Sequence, residues 1–103
     1  MANAADCLRS ARKRIEKPEN WIQGRYFWKE PDGTGGYKET CCFLGALQRE
    51  VPSTDMTTWC KCIDYLRVAS PGIGPSVYND THTHSEVLAW VDKAILLAEV
   101  EQE

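Results

Sequence analysis

Cys41-Cys42-Phe43-Leu44-Gly45-Ala46-Leu47 is the stretch on which the reading of this chain turns. It follows Asp32-Gly33-Thr34-Gly35-Gly36, a turn-forming run, and it opens an apolar segment with helical character. The chain changes here from hairpin to helix. A thiol at that point lies beside free backbone N–H groups and the positive end of a helix dipole, where a thiolate is stabilised. Gly45 and Ala46, one turn on, point elsewhere: small residues there mark close packing. The stretch supports both a reactive thiol and a packing seam.

On its N-terminal side, Arg25-Tyr26-Phe27-Trp28 is aromatic and β-prone, and Tyr37 to Thr40 can pair with it across the Gly-rich turn; a flexible loop is the alternative, because three glycines in four positions weaken register. Before that, Ala4, Leu8, Ala11 and Ile15 make one apolar face, which predicts a helix over about Ala4 to Lys17. Asn3 is its N-cap and Pro18 ends it. Trp21-Ile22-Gln23-Gly24 connects this helix to the hairpin.

On its C-terminal side, a short helix runs from about Cys41 to Arg49 and stops before Pro52. The next covers about Asp55 to Ala69, capped by Ser53, Thr54 or Asp55, with Met56, Trp59, Cys60, Ile63 and Leu66 inward. Pro71-Gly72-Ile73-Gly74-Pro75 breaks it, and Tyr78-Asn79-Asp80 reads as a turn. Thr83-His84-Ser85-Glu86 is a capping box that starts the last helix, which frays after about Glu99. Its core face is Val87, Val91, Ala94, Ile95 and Ala98, flanked by Leu88 and Trp90. The expected architecture is mainly α (α+β): about four helices with a β-hairpin after the first. Its core joins Leu8, Ile15, Trp21, Leu44, Leu47, Trp59, Ile63, Val87, Val91 and Ile95.

With 103 residues, 43% hydrophobic and 26% charged, the chain fits one globular domain over 1–103. It shows no apolar leader and no run of about 18 apolar residues, so the expected location is the cytoplasm of a bacterium or an infected host, away from membranes. Net charge is −3: residues 1–38 carry eight Lys/Arg against five Asp/Glu, and residues 39–103 carry four against ten. This polarity is compatible with a homo-oligomer and weak for a nucleic-acid binder.

Five cysteines, Cys7, Cys41, Cys42, Cys60 and Cys62, are an odd count without secretory context, so free and mostly buried thiols are expected. Zinc sites repeat ligand pairs two to four residues apart. Here one pair is adjacent and the other diverges by about 200° on a helix, so no metal and no cofactor is expected. The ingredients of a thiol-dependent hydrolase or transferase are present as Cys42 (or Cys41), His82 or His84, and Asp80. The basic face of the first helix offers Arg9, Arg12 and Lys13, with Arg25 and Lys29 beyond it, as a phosphate track. Trp21, Arg25, Tyr26, Trp28, Tyr37, Tyr78, Asn79 and Asp80 are the candidate binding residues, since Trp, Tyr and Arg dominate binding hot spots.

Three blocks carry a resemblance across nearly the whole chain. They are the first helix with Trp21-Ile22-Gln23-Gly24, then Cys42-Phe43-Leu44-Gly45-Ala46-Leu47, then Tyr78-Asn79-Asp80 with Thr83, Glu86-Val87 and Asp92-Lys93-Ala94-Ile95. In these it resembles a family of short, uncharacterised bacterial and phage proteins, a domain of unknown function. The family pattern has Trp where this chain has Tyr78, and a single Cys where this chain has two; Cys42 fits its spacing to Gly45-Ala46. The resemblance implies a small protein of phage or prophage setting and no established activity. The favoured expectation is a non-enzymatic accessory protein that binds another protein, such as an inhibitor of a host defence. A thiol enzyme and a nucleic-acid module are the alternatives.

Overall fold

The computed structural model describes residues 3–101. Among them the chain forms α1 (Ala4–Arg14), a single 3-10 turn (Pro18–Asn20), β1 (Phe27–Pro31), β2 (Tyr37–Cys41), α2 (Phe43–Glu50), α3 (Met56–Ala69), α4 (Pro75–Thr81) and α5 (His84–Glu101). The fold is mainly α with one antiparallel hairpin.

Helix α1 starts at a capping box in which Asn3 accepts the Asp6 amide at 2.9 Å and Asp6 returns to the Asn3 amide. It stops at Arg14, three residues short of the expected Lys17. Pro18 forces the cause: the residue before a proline avoids the α region, and Lys17 is extended at φ −86°, ψ 132°. The hairpin starts at Phe27, two residues later than expected, and runs to Pro31. Its register pairs Trp28 with Thr40 and Lys29 with Glu39. Asp32 closes the loop by accepting the Thr34 amide (2.9 Å) and hydroxyl (2.6 Å).

Helix α2 begins one residue after its N-cap Cys42, so Cys41 ends β2 instead of opening the helix. In α3, capped by Asp55, the inward stripe differs from expectation. Cys62, Tyr65 and Leu66 are buried and Trp59 and Ile63 pack at the margin, while Met56 and Cys60 are exposed. Cys60 lies about 200° around the helix from buried Cys62, so both cannot face α1 and α5. Met56 is the first residue of α3 and is 61% exposed.

Tyr78-Asn79-Asp80 is helical, not a turn. Gly74 caps α4 and Pro75 occupies its first turn, where a proline's fixed φ is already helical and its missing N–H costs nothing. The Pro71–Pro75 stretch that separates the two helices therefore also supplies the start of the second. The α5 capping box forms as expected, with Glu86 accepting the Thr83 amide at 2.9 Å and Thr83 accepting the Glu86 amide at 3.2 Å. The helix continues to Glu101; residues 102–103 lie outside those described.

One core cluster joins α1, α2, α3 and α5, with Leu8, Ala11, Ile15, Phe43, Leu47, Leu66, Val87, Val91 and Ala94 fully enclosed. Leu44 and Ile95 are buried with them, while Trp21, Trp59 and Ile63 cover the margin. Trp90, expected at the flank, is buried and donates its Nε1–H to the Leu66 carbonyl at 3.0 Å. The charge imbalance is answered within the chain: Arg9 pairs with Glu99 (2.8 Å), Arg12 with Asp92 (2.6 Å) and Arg14 with Glu50. These pairs tie the basic first helix to acidic residues of α5 and α2.

Candidate functional site

The three sequence blocks meet in space. Asn79, on α4, is fully buried and spends its side chain on its neighbours. Its Oδ1 accepts from Trp21 Nε1 (2.8 Å) and from the Phe43 amide (3.1 Å), which is an orphan donor of the first turn of α2. Its Nδ2 donates to the Ile22 carbonyl (3.2 Å) and to Asp80 Oδ1 (3.3 Å). Gln23 donates from Nε2 to the carbonyls of Asn79 (3.1 Å) and His82 (2.9 Å), and the Gly24 amide donates to Asp80 Oδ1 at 2.8 Å. Residues 21–24 are thus stitched one after another to residues 79–82. Gly24 takes φ +80°, which glycine adopts without strain and which turns the chain toward the hairpin.

The second block is locked to the same point. The Cys42 amide donates to the Tyr26 carbonyl at 3.1 Å, and Cys42 Sγ accepts the Gly45 amide at 3.3 Å. A Cβ added to Gly45 would stand 2.2 Å from the Tyr26 carbonyl oxygen, so only glycine lets the start of the hairpin lie on α2. Small residues after the cysteine therefore do mark close packing.

That environment sets the thiol. Cys42 is 5% exposed. Burial pushes its pKa up; the Gly45 and Leu44 amides pull it back only in part, and the nearby Asp80 carboxylate adds to the rise. The helix-start effect is present and burial outweighs it. Cys41 is pushed up to about 11, chiefly by burial. Cys62, pushed to about 12 for the same reason, points its Sγ at the Ala4 carbonyl. All five cysteines are free, four buried and Cys60 exposed.

The histidines have other partners. His82 stacks on Tyr78 with centroids 3.7 Å apart, and its Nδ1–H donates to the Tyr78 carbonyl at 3.0 Å. Tyr78 stacks in turn on Trp90 at 4.6 Å. His84 donates from Nε2 to the Ile15 carbonyl at 2.6 Å and packs against Trp21. Among the described residues neither histidine hydrogen-bonds to a cysteine, and no group of three His, Cys, Asp or Glu side chains is arranged to hold a metal ion.

Cys42 and Asp80 do share a cleft. It has a volume of about 280 Å³ and is lined by Gly24, Arg25, Tyr26, Cys42, Ser76 and Asp80. Beyond it the hairpin carries its aromatics outward: Tyr26 is 49%, Trp28 43% and Tyr37 72% exposed. The Arg25 guanidinium lies over the Trp28 ring at 4.5 Å. The other face of the hairpin turns toward α2, where Arg49 covers the Phe27 ring at 4.2 Å and pairs with Glu39 at 3.0 Å. A groove of about 450 Å³ opens there between Phe27, Pro52, Met56 and Trp59. Nothing in the hydrophobic periodicity of the sequence signals it. Of the sequence's basic candidates, Arg9 and Arg12 are paired with carboxylates and Lys29 lies 3.8 Å from Glu39.

Five helices around one core, a docked hairpin and an asparagine-centred junction define a small α+β protein in which the sequence blocks act together as the fold's fastening. The family model described as "Family of unknown function (DUF6197)" matches residues 1–97, and the chain belongs to that family. No curated protein and no solved structure matches the chain. Among the described residues no helix is long and apolar enough to cross a membrane.

Proposed function

We propose that this protein is a non-enzymatic accessory protein that binds another protein through the exposed aromatic side chains of its hairpin. The observation that carries the reading is the exposure of Tyr26, Trp28 and Tyr37 on a two-stranded hairpin, with Arg25 stacked beside them. The core is complete without these side chains. Aromatic residues and arginine supply most of the energy in protein interfaces, and a stacked arginine is already ordered for contact. A host protein inhibited or modulated by this surface is the version that the phage-like resemblance implies. The test is retention of a partner from bacterial lysate on immobilised protein, with Trp28→Ala/Tyr37→Ala as the control. The reading expects a discrete band with the wild type that the double variant loses. A wild type that retains nothing and stays monomeric overturns it.

The thiol-enzyme alternative draws support from the cleft that Cys42 shares with Asp80 and is opposed by the raised thiol pKa and the engaged histidines. It requires selective iodoacetamide labelling of Cys42 or Cys41 near pH 6. The nucleic-acid alternative needs free cations, and its candidates are largely paired; it requires affinity that falls steeply with salt.

A further inference from the structure

The cleft beside the junction is built differently from the hairpin surface, and its chemistry is specific. One residue from each sequence block, Gly24, Cys42 and Asp80, contributes to its wall, and Arg25, Tyr26 and Ser76 complete it. Asp80 is held in place: its Oδ1 accepts from the Gly24 amide and from Asn79 Nδ2, and among the described residues its Oδ2 has no partner. On another part of the wall, Arg25 is ordered by its stacking on Trp28 and, among the described residues, has no carboxylate partner. An anion and a cation thus line one cleft without being paired to each other. Asp80 is fixed by the junction and Arg25 by its stacking on Trp28, which reduces the ordering cost of binding. The volume of about 280 Å³ lies just under the range of about 300–1,000 Å³ typical of drug-sized ligands. It suits a small metabolite and is too small to enclose a dinucleotide.

We propose that this cleft binds a small zwitterion, a free amino acid or a short ω-amino acid, with its ammonium on Asp80 and its carboxylate on Arg25. Asp80 Oδ2 accepts from the ammonium, and the Arg25 guanidinium donates to the carboxylate, both as charge-assisted hydrogen bonds. Tyr26 flanks the carbon skeleton and the Ser76 hydroxyl lies within the same wall. Cys42 contributes shape: its thiol already accepts the Gly45 amide. Arg25 and Tyr26 border both the cleft and the hairpin surface, and the proposal does not require that surface to bind a protein.

The test is a two-dimensional amide NMR titration of the full chain with glycine, L-serine, L-leucine, β-alanine and 4-aminobutyrate, each up to about 10 mM, a range that captures affinities to the low millimolar. Acetate and methylammonium serve as single-charge controls. At least one zwitterion is expected to give saturable shifts at the Gly24, Ser76 and Asp80 amides, with either control at least tenfold weaker. Asp80→Asn keeps an oxygen for the Gly24 amide and removes the negative charge; Arg25→Gln, at an exposed position, removes the positive one. Each is expected to reduce the preferred zwitterion to the level of a single-charge control. If Asp80→Asn does not fold, Arg25→Gln alone decides. The proposal is overturned if no zwitterion in the panel moves those amides, if a single-charge control binds as tightly, or if Arg25→Gln leaves affinity unchanged.

Discussion

The junction and the hairpin tip are two halves of one connection, and they are built on opposite terms. At the junction a single buried side chain, Asn79, satisfies three groups from two other segments, and a glycine is required because a carbonyl lies where a Cβ would be. Along the hairpin, Trp28 and Tyr37 stand in solvent and the loop closes on its own Asp32. The contrast separates residues that hold the hairpin from residues the hairpin displays. It also explains how an isolated two-stranded hairpin, marginal by itself, persists here: it is fastened at its base.

The largest effect belongs to Asn79→Ala. It strands the Trp21 Nε1–H, the Phe43 amide and the Ile22 carbonyl, and buried groups left unsatisfied cost about 1–3 kcal/mol each. A loss of about 4 kcal/mol is expected, read as a fall of the urea midpoint; a loss below about 1 kcal/mol breaks the contrast. Gly45→Ala comes next. Alanine favours a helix by about 1 kcal/mol over glycine, but the clash with the Tyr26 carbonyl opposes it, and overpacking costs about 1–3 kcal/mol or more. A net loss of about 2 kcal/mol is expected, with amide shifts concentrated at residues 25–28. A stabilised variant would mean that the hairpin base can move aside.

The buried thiols give a pH dependence with a definite sign. Cys41 and Cys62 ionise near 11 and 12 in the folded chain against an ordinary value of 9. Between pH 9 and those values the unfolded chain loses protons that the folded chain keeps, so stability is present in full below pH 9 and falls as pH rises. Each thiol contributes a slope of up to about 1.4 kcal/mol per pH unit. Urea midpoints at pH 8 and 10 measure it, and Cys62→Ala should flatten the slope; an unchanged slope excludes Cys62 as a source. The smallest effect on stability is expected from Trp28→Ala/Tyr37→Ala, within about 0.5 kcal/mol, because these residues bury little. If that variant unfolds with the junction variants, display and fastening are not separate.

The elements marked by strong local chemistry were legible in the sequence. The Asn3 cap, the Thr83–Glu86 box, the hairpin around Asp32–Gly36 and the apolar faces of α1 and α5 all stand where their residues place them. The misses share a cause: tertiary context outweighing a local signal. Pro75 belongs to the break after α3 and yet opens α4, which a breaker reading cannot show. Met56 and Cys60 have the right hydrophobicity and the wrong angle or end of α3. The reactive-thiol expectation followed a real helix start, and only the enclosure of Cys42 shows that burial outweighs it. Asn79 has the local signature of a turn former, and nothing local indicates that its partners lie 36 and 58 residues away.

The contact between α1 and α5 also sets a schedule. Arg9 meets Glu99 and the Leu8–Ala11 face packs into a core completed by Val87, Val91 and Ala94. During synthesis α1 must wait for α5. At about 5–20 residues per second, that delay is on the order of 5–20 s. Until then α1 has only α2 and α3 to cover it, so the emergence of α5 is the event that closes the core.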